Sequence, residues 1–354
     1  MLYYRNATVA DDTIASVVND PADNNQTGFY RPNNLIGVEE RLVYKGIDDL
    51  ELTAGLTYER ERLSEGFSRT YSNSYLVEPE APPKPAMKTN TLKSLYLQSQ
   101  YKINKALTFT AGVRHEDSSY YDDVTTPRGS LVYNKDDTTI KFIYAEAFRA
   151  PKPWDYGPLD PTLPGTGNSD LEPEEMRSYE LYFGRSFSSS FKGDITFYEN
   201  KIESKLSKDS PNNKWTNQGE LNAQGVELSL AYNTKNLKTF INYTYTDSED
   251  GDGIKTDEIA TNSASAGVTY KTSKDFVTHI GINYVGEKNN YAHEKVNDYT
   301  IANASFSYLG FEHWNIDFIV KNLFDEDYYH TSHRSVPKYK QAERSFFLRG
   351  GYKF

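Results

Sequence analysis

The chain has 354 residues and not one cysteine. That excludes a disulfide framework and every thiolate metal site, while leaving the compartment open. It also lacks any apolar run approaching the roughly 18 residues of a transmembrane helix. It has no basic surplus: the formal net charge is −11, so the basic patch or stripe of a nucleic-acid binder is not expected. No Cys/His pair, GxSxG, HExxH or phosphate-binding glycine loop in a strand–helix setting occurs. Nothing nominates a nucleophile, so the chain is read as no enzyme and no cofactor is assigned. The first twelve residues, MLYYRNATVADD, have neither the basic region nor the apolar stretch of a secretory signal peptide. No blade-length repeat supports a propeller.

What is present is aromatic and alternating. There are 29 Tyr and 18 Phe, yet the mean hydropathy is only −0.73. A polar chain poor in aromatics reads as disordered, and one this rich in them does not. A membrane β-barrel reconciles the two, because it needs apolar residues only at alternate positions, with a polar lumen, polar loops and aromatic girdles. A soluble all-β domain is the competing architecture.

The alternation is explicit. Val226, Leu228, Leu230 and Tyr232 share one face against Glu227, Ser229 and Ala231. Ile241, Tyr243 and Tyr245 alternate with Asn242, Thr244 and Thr246, and Leu107, Phe109, Ala111 and Val113 with Thr108, Thr110 and Arg114. The pattern predicts about 16 strands, at 2–10, 35–46, 50–63, 91–102, 106–117, 127–133, 138–148, 174–187, 191–206, 221–232, 237–247, 260–271, 276–287, 298–310, 315–328 and 341–354. Short turns, such as Asp48-Asp49 and Thr234-Lys235-Asn236, alternate with longer loops near 11–34, 64–90, 118–126, 149–173, 207–220, 248–259, 288–297 and 329–340. Tight turns at one end and long loops at the other are the plan of a transmembrane antiparallel barrel.

Six stretches carry a more specific signal. The run Tyr144-Ala-Glu-Ala-Phe148-Arg149-Ala150-Pro151, followed by Gly167-Asn168-Ser-Asp170-Leu171-Glu-Pro173-Glu174, resembles the paired FRAP and NPDL-type boxes of TonB-dependent outer-membrane receptors. Asn217 to Leu228, Asn242 to Ser248, and Val320-Lys-Asn322-Leu323-Phe324-Asp-Glu-Asp-Tyr328 are similar to further boxes of that family, in the family's order. The ending Arg344 to Phe354, an alternating strand closed by phenylalanine, resembles its final strand. The resemblance covers 144–354 closely and the earlier part only in style.

The resemblance implies one β-barrel domain over 1–354 in the outer membrane of a Gram-negative cell. It implies extracellular long loops and a C-terminal Phe354 read by the barrel-assembly machinery. A complete receptor of the family has 22 strands, a plug and a TonB box. No plug-like segment or signal peptide is read here, so the chain is expected to be a fragment, a truncated product or a smaller barrel, with TonB reached only through a plug not present. Ferric siderophores are the default cargo class by analogy, with cobalamin and glycans as alternatives and a passive pore of about 16 strands as the other reading. The resemblance also disfavours haem, because haem receptors of the family place a histidine between the two boxes and residues 152–167 hold none.

Candidate ligand-binding residues are aromatic or charged groups in the long loops: Arg69, Tyr71, Tyr75, Trp154, Asp155, Tyr156, Trp215, Tyr291 and Arg334. They suit a bulky anionic chelate through stacking and cation–π contacts. The boxed residues themselves read better as loop anchors, with Arg149 pairing Glu146 or Glu172. The acidic turn Asp247 to Gly253 has no closing glutamate at EF-hand spacing, so no metal is assigned to it.

Overall fold

In a computed structural model of the chain, the described residues are 1–9, 14–15, 26–29, 31–64, 68–71, 87–152, 155, 168–209, 214–331 and 338–353. In chain order the strands open with β1 (Leu2–Val9), β2 (Ile14–Ala15), β3 (Gln26–Phe29), β4 (Arg31–Ile47), β5 (Leu50–Ser64) and β6 (Ser68–Tyr71). Then come β7 (Met87–Lys102), β8 (Leu107–Ser118), β9 (Val124–Lys135), β10 (Thr138–Arg149), β11 (Glu174–Ser186) and β12 (Phe191–Asp209). The second half holds β13 (Lys214–Asn233), β14 (Leu237–Asp250), β15 (Asn262–Lys271), β16 (Phe276–Val285), β17 (Lys288–Asn289) and β18 (Lys295–Val296). The last are β19 (Tyr299–Tyr308), β20 (Trp314–Lys321), β21 (Tyr329–Thr331), β22 (Lys338–Lys340) and β23 (Ser345–Tyr352).

Sixteen of these form one sheet in the order β1-β4-β5-β7-β8-β9-β10-β11-β12-β13-β14-β15-β16-β19-β20-β23. Sequence neighbours are sheet neighbours, as hairpin after hairpin dictates. Each of the sixteen strands read from the alternation is there. The other seven strands are short pieces inside the long loops, which alternation could not register.

The registers keep one face apolar across the whole sheet. The direct pairs Phe109↔Leu131, Leu131↔Phe142, Phe142↔Leu181, Leu181↔Phe197, Phe197↔Val226 and Val226↔Tyr245 carry an apolar row from β8 to β14. The same face continues through Ala264, Tyr284 and Thr300, and ends at Phe318↔Leu348 on β20 and β23. Leu56 is 59% exposed and Leu348 78% exposed on this face. On the opposite face run Thr53↔Gln98, Gln98↔Gly112, Gly112↔Arg128 and Ala145↔Ser178, and later Ser229↔Asn242, Asn242↔Ser265 and Ser265↔Asn283. A one-residue slip in any ladder would invert the faces beyond it, so the hydrophobic pattern fixes every register at once.

All tight turns lie at one sheet end. Asp49 and Asp136 take left-handed conformations there, with φ of 62° and 52°, a conformation that aspartate tolerates in two-residue hairpins. At the other end the strands vary more. β12 and β13 stay paired out to Lys208↔Trp215 and Asp209↔Lys214, so most of the loop expected over 207–220 is strand. β20 stops at Lys321 rather than 328, because Asn322 turns left-handed with φ 51°. β1 and β23 end the order and share no ladder among the described residues.

Candidate functional site at the long-loop rim

The loop between β10 and β11 is fastened at its base by the residues of the two boxes. Arg149 Nη2 donates to Glu174 Oε2 at 2.7 Å, and the same oxygen accepts the Leu206 N–H at 3.0 Å. One carboxylate thus joins β10, β11 and β12. Arg149 pairs neither Glu146 nor Glu172: the antiparallel register sets it opposite Glu174. Pro151, Leu171 and Pro173 are buried around this junction. Phe148 packs tilted against Tyr121 at 6.2 Å, Ala150 is half-buried, and Asp170 takes the Asn168 Oδ1 on its N–H at 3.2 Å.

A second fastening comes from β13. Asn217 Nδ2 donates to the carbonyls of Glu172 and Ser204 at 2.8 and 2.9 Å, while its Oδ1 accepts the Glu172 N–H at 2.8 Å. The Ser204 carbonyl is free for this because the β12–β13 ladder shifts register between Ile202 and Lys205, and Ser204 itself is left-handed at φ 51°. A bulge of this kind re-aims backbone groups at a sheet rim. Arg149 and Glu174, from the two boxes, thus make their contacts at the base of the loop.

Asp155 and Trp215, two of the candidate ligand groups, are brought together through Asn168. The Asn168 N–H donates to the Asp155 carbonyl at 3.0 Å, and its Nδ2 to the Trp215 carbonyl at 2.9 Å. Asp155 is 4% exposed. Its Oδ2 accepts the Lys152 N–H at 2.8 Å, while its Oδ1, like Trp215 Nε1, is buried without a hydrogen-bond partner among the described residues. Burial pushes the Asp155 carboxyl above the usual range, against the Lys152 hydrogen bond and the nearby Lys152, Arg149 and Lys208 charges. Lys208 Nζ lies 5.5 Å from the Trp215 ring centre, a cation–π contact that spacing did not reveal.

The last loops close a second cluster. Tyr299 and Tyr328 lie 4.8 Å apart, with His330 at 5.6 Å from Tyr328 and 6.1 Å from Tyr299. Burial, and then Lys288, hold the His330 ring below its ordinary pKa of 6.5. Sequence reading named Tyr328, at the end of the NLFD box, but missed Tyr299. Its signal was an aromatic on the strand face that also carries Ile301, Asn303, Ser305 and Ser307. Asn322, in the NLFD box, is an organiser of this end. Its N–H donates to Asn303 Oδ1 at 3.0 Å, its Nδ2 to the Glu326 carbonyl at 2.8 Å, and its Oδ1 accepts the Glu326 N–H at 2.8 Å. The Leu323 N–H reaches the Ala302 carbonyl at 2.7 Å, and Phe324 is left 75% exposed.

Arg69 and Tyr71 lie on β6, which pairs with β3 in a small loop sheet of β2, β3 and β6. Tyr291 is 39% exposed between β17 and β18. Nothing in the described residues brings these to the Asp155–Trp215 pair. Tyr75, Trp154, Tyr156, Arg334 and the terminal Phe354 lie outside the described residues. The acidic turn is engaged internally: Asp247 and Glu249 pair with Lys255, and Asp250 Oδ1 accepts the N–H groups of Asp252 and Ile254 at 3.1 and 2.9 Å. No group of three or more His, Asp or Glu able to hold a metal occurs among the described residues.

An antiparallel sheet of this size, apolar on one face, with tight turns at one end and long loops at the other, has the plan of an outer-membrane β-barrel wall. The chain belongs to the family described as TonB dependent receptor-like, beta-barrel, whose pattern matches residues 2–323. Among curated proteins it is similar to the vitamin B12 transporter BtuB of Vibrio cholerae, at 29% identity over 258 residues, 69% of this chain and 39% of that protein. It is similar to BtuB of Photobacterium profundum at 27% over 323 residues, 88% of this chain and 48% of that protein. The chain thus spans about half the length of the curated relatives it matches or less. Among solved structures, a mutant of the ferric enterobactin receptor PfeA of Pseudomonas aeruginosa superposes with a TM-score of 0.75 at 16% identity, covering 95% of this chain and 55% of that one. The ferric citrate transporter FecA in its unliganded form gives 0.72 at 16% identity, covering 100% and 57%. In a barrel of this family the apolar face meets lipid and the polar face lines the lumen.

Proposed function

We propose that the chain is the barrel portion of an outer-membrane receptor that takes up a metal chelate through its long-loop rim, with a ferric siderophore as the leading cargo. The long loops face the cell exterior, and uptake is coupled to TonB through a lumen-filling plug carried elsewhere in the full-length protein. Phe354 engages the barrel-assembly machinery. The observation that carries this reading is family membership over residues 2–323, joined to a rim where Trp215, Lys208, Tyr328 and His330 offer stacking and cationic groups. A passive pore of sixteen strands is disfavoured, since β1 and β23 share no ladder among the described residues and an unpaired edge in lipid leaves backbone groups unsatisfied. Cobalamin is the second reading, favoured by the vitamin B12 transporters among the curated relatives.

The test is uptake by cells expressing or lacking the full-length gene, with iron-labelled siderophores in one arm and labelled cobalamin in the other. Gene-dependent, TonB-dependent accumulation in the first arm supports the leading reading. Accumulation only in the second moves the assignment to cobalamin, and none in either contradicts uptake of a metal chelate.

A further inference from the structure

We propose that the lipid-facing side of β4 to β8 holds a site for one phosphate-bearing lipid of the outer leaflet, with its headgroup on Arg60, Arg62 and Lys93 and an acyl chain in the hollow beneath them. This rests on the long loops facing the cell exterior, and not on which chelate is carried.

Alternation sorts the charges of β5. In the run Tyr58-Glu59-Arg60-Glu61-Arg62, Glu59 and Glu61 share the lumenal face with Thr53 and are engaged there. Glu59 accepts the Tyr3 hydroxyl, and Glu61 lies 3.5 Å from Arg5 and accepts Asn33 Nδ2 at 2.9 Å. Tyr58, Arg60 and Arg62 fall on the face of Leu52 and Leu56, and all three are exposed. The ladders give both arginines neutral neighbours: Ile36 and Thr91 flank Arg60, while Asn34 and Thr89 flank Arg62. Lys93, one row nearer the turns, stands between Tyr58 and Asp117 and holds Asp117 at 3.3 Å. Strands β4 to β8 have sheet neighbours on both sides, so this outward face is no open edge, and a plug in the lumen does not reach it.

The height suits a headgroup. Arg60 and Arg62 stand ten and twelve residues from Leu50, where β5 leaves its tight turn, and Lys93 nine residues from Lys102 at the turn end of β7. Roughly 9–11 residues of tilted strand cross the hydrocarbon, so the three cations lie at its outer boundary. Beneath them a hollow of ≈ 580 Å³ is lined by Val38, Leu56, Leu95 and His115, with Glu40 and Asp117 also on its wall. The next row toward the turns opens a second, of ≈ 620 Å³, lined by Leu42, Leu52, Ala54, Leu97 and Val113. The lower hollow is apolar and suits an acyl chain. Glu40 and Asp117 repel a phosphate from the upper hollow and leave it the arginines above. The sector is distinct: on the outward face of β11 and β12, Glu175, Glu199 and Glu203 outnumber Arg177 and Lys201. Forked guanidinium donors match phosphate oxygens, and basic clusters at a bilayer surface draw anionic lipids.

The experiment uses the full-length protein in a mild detergent, examined by native mass spectrometry with diphosphoryl lipid A, the same lipid stripped of phosphate, phosphatidylglycerol, and inorganic phosphate as competitor. The expected result is retention of one diphosphoryl lipid A, with the stripped lipid held roughly tenfold more weakly and inorganic phosphate failing to displace it. The Arg60→Gln/Arg62→Gln/Lys93→Gln variant should lose that preference, and Arg177→Gln/Lys201→Gln on the same face should keep it. Acetylation of Lys93 in the wild type, mapped by peptide mass spectrometry, should fall as lipid A is added while that of Lys201 does not, so a folding defect in a variant does not blur the outcome. Equal retention of the stripped lipid, equal loss in the Arg177/Lys201 variant, or unchanged Lys93 acetylation overturns the site. Displacement by inorganic phosphate overturns it in favour of a free-anion site. Preference for phosphatidylglycerol over lipid A overturns it through the orientation, since that is the result for loops that face the periplasm. Each result is independent of the cellular uptake assay.

Discussion

Asn217 grips both backbone polar groups of Glu172: Nδ2 donates to the Glu172 carbonyl at 2.8 Å, and Oδ1 accepts the Glu172 N–H at 2.8 Å. A side chain that does this acts as an extra strand residue, so the loop base is paired where the β10–β11 ladder has ended. With its third bond, to the Ser204 carbonyl at 2.9 Å, it ties the loop to the bulged β12–β13 hairpin. Asn217→Ala should leave the barrel strands intact and loosen residues 168–174 by about 1–3 kcal/mol, the cost of stranding such groups. Hydrogen exchange at the Glu172 amide reads this; exchange unchanged from wild type would mean that the loop is held by other contacts.

Gly55 is required by the ring beside it. With a Cβ placed 2.1 Å from Tyr96 Cε1, Gly55→Ala should cost about 1–3 kcal/mol by overpacking. The second change Tyr96→Ala should recover most of that, giving a coupling that independent sites do not show. Denaturant midpoints of the four-member cycle in lipid vesicles supply the measurement, and additive costs would place the ring elsewhere.

The Tyr299–Tyr328–His330 cluster should respond to pH. His330 is held below 6.5 by burial and then by Lys288, so the closed loop prefers the neutral ring and the opened loop takes up a proton near 6.5. The stabilisation is therefore complete above that value and is lost as pH falls below it. Hydrogen exchange across Tyr328–Thr331, corrected for intrinsic rate, should rise between neutral and mildly acidic pH in wild type and stay flat in His330→Gln. A wild type that does not respond contradicts the burial of this ring.

The two faces of one strand should tolerate charge differently. Leu228 lies on the apolar face and Ser229 on the polar face of β13. Leu228→Lys should destabilise the lipid-inserted chain by about 2–4 kcal/mol, the range for lysine near a bilayer midplane. Ser229→Lys should be nearly neutral, and equal losses in urea unfolding would count against lipid on the Leu228 side.

Much of this was legible in the residues, because a period of two is written directly into strands such as Val226 to Tyr232. The tight turns were legible too, from Asp48-Asp49 and its like. What was not legible depended on long-range register or on single dihedrals. Residues 315–328 read as one strand, and the left-handed Asn322 ends it. Arg149 had acidic neighbours at Glu146 and Glu172, and pairing across the β10–β11 ladder chose Glu174 instead. The bulge at Ser204 that makes Asn217 effective has no signature in composition.

The central claim is that alternate residues of each long strand face lipid and a wet lumen. The chain's lack of cysteine permits a clean test: single cysteines placed in turn at positions 224 to 231 of β13, spin-labelled, in lipid vesicles. Collision with oxygen should peak at 226, 228 and 230, and collision with a polar nickel chelate at 225, 227 and 229. A profile without that two-residue period, or with the chelate reaching both sets equally, would contradict it.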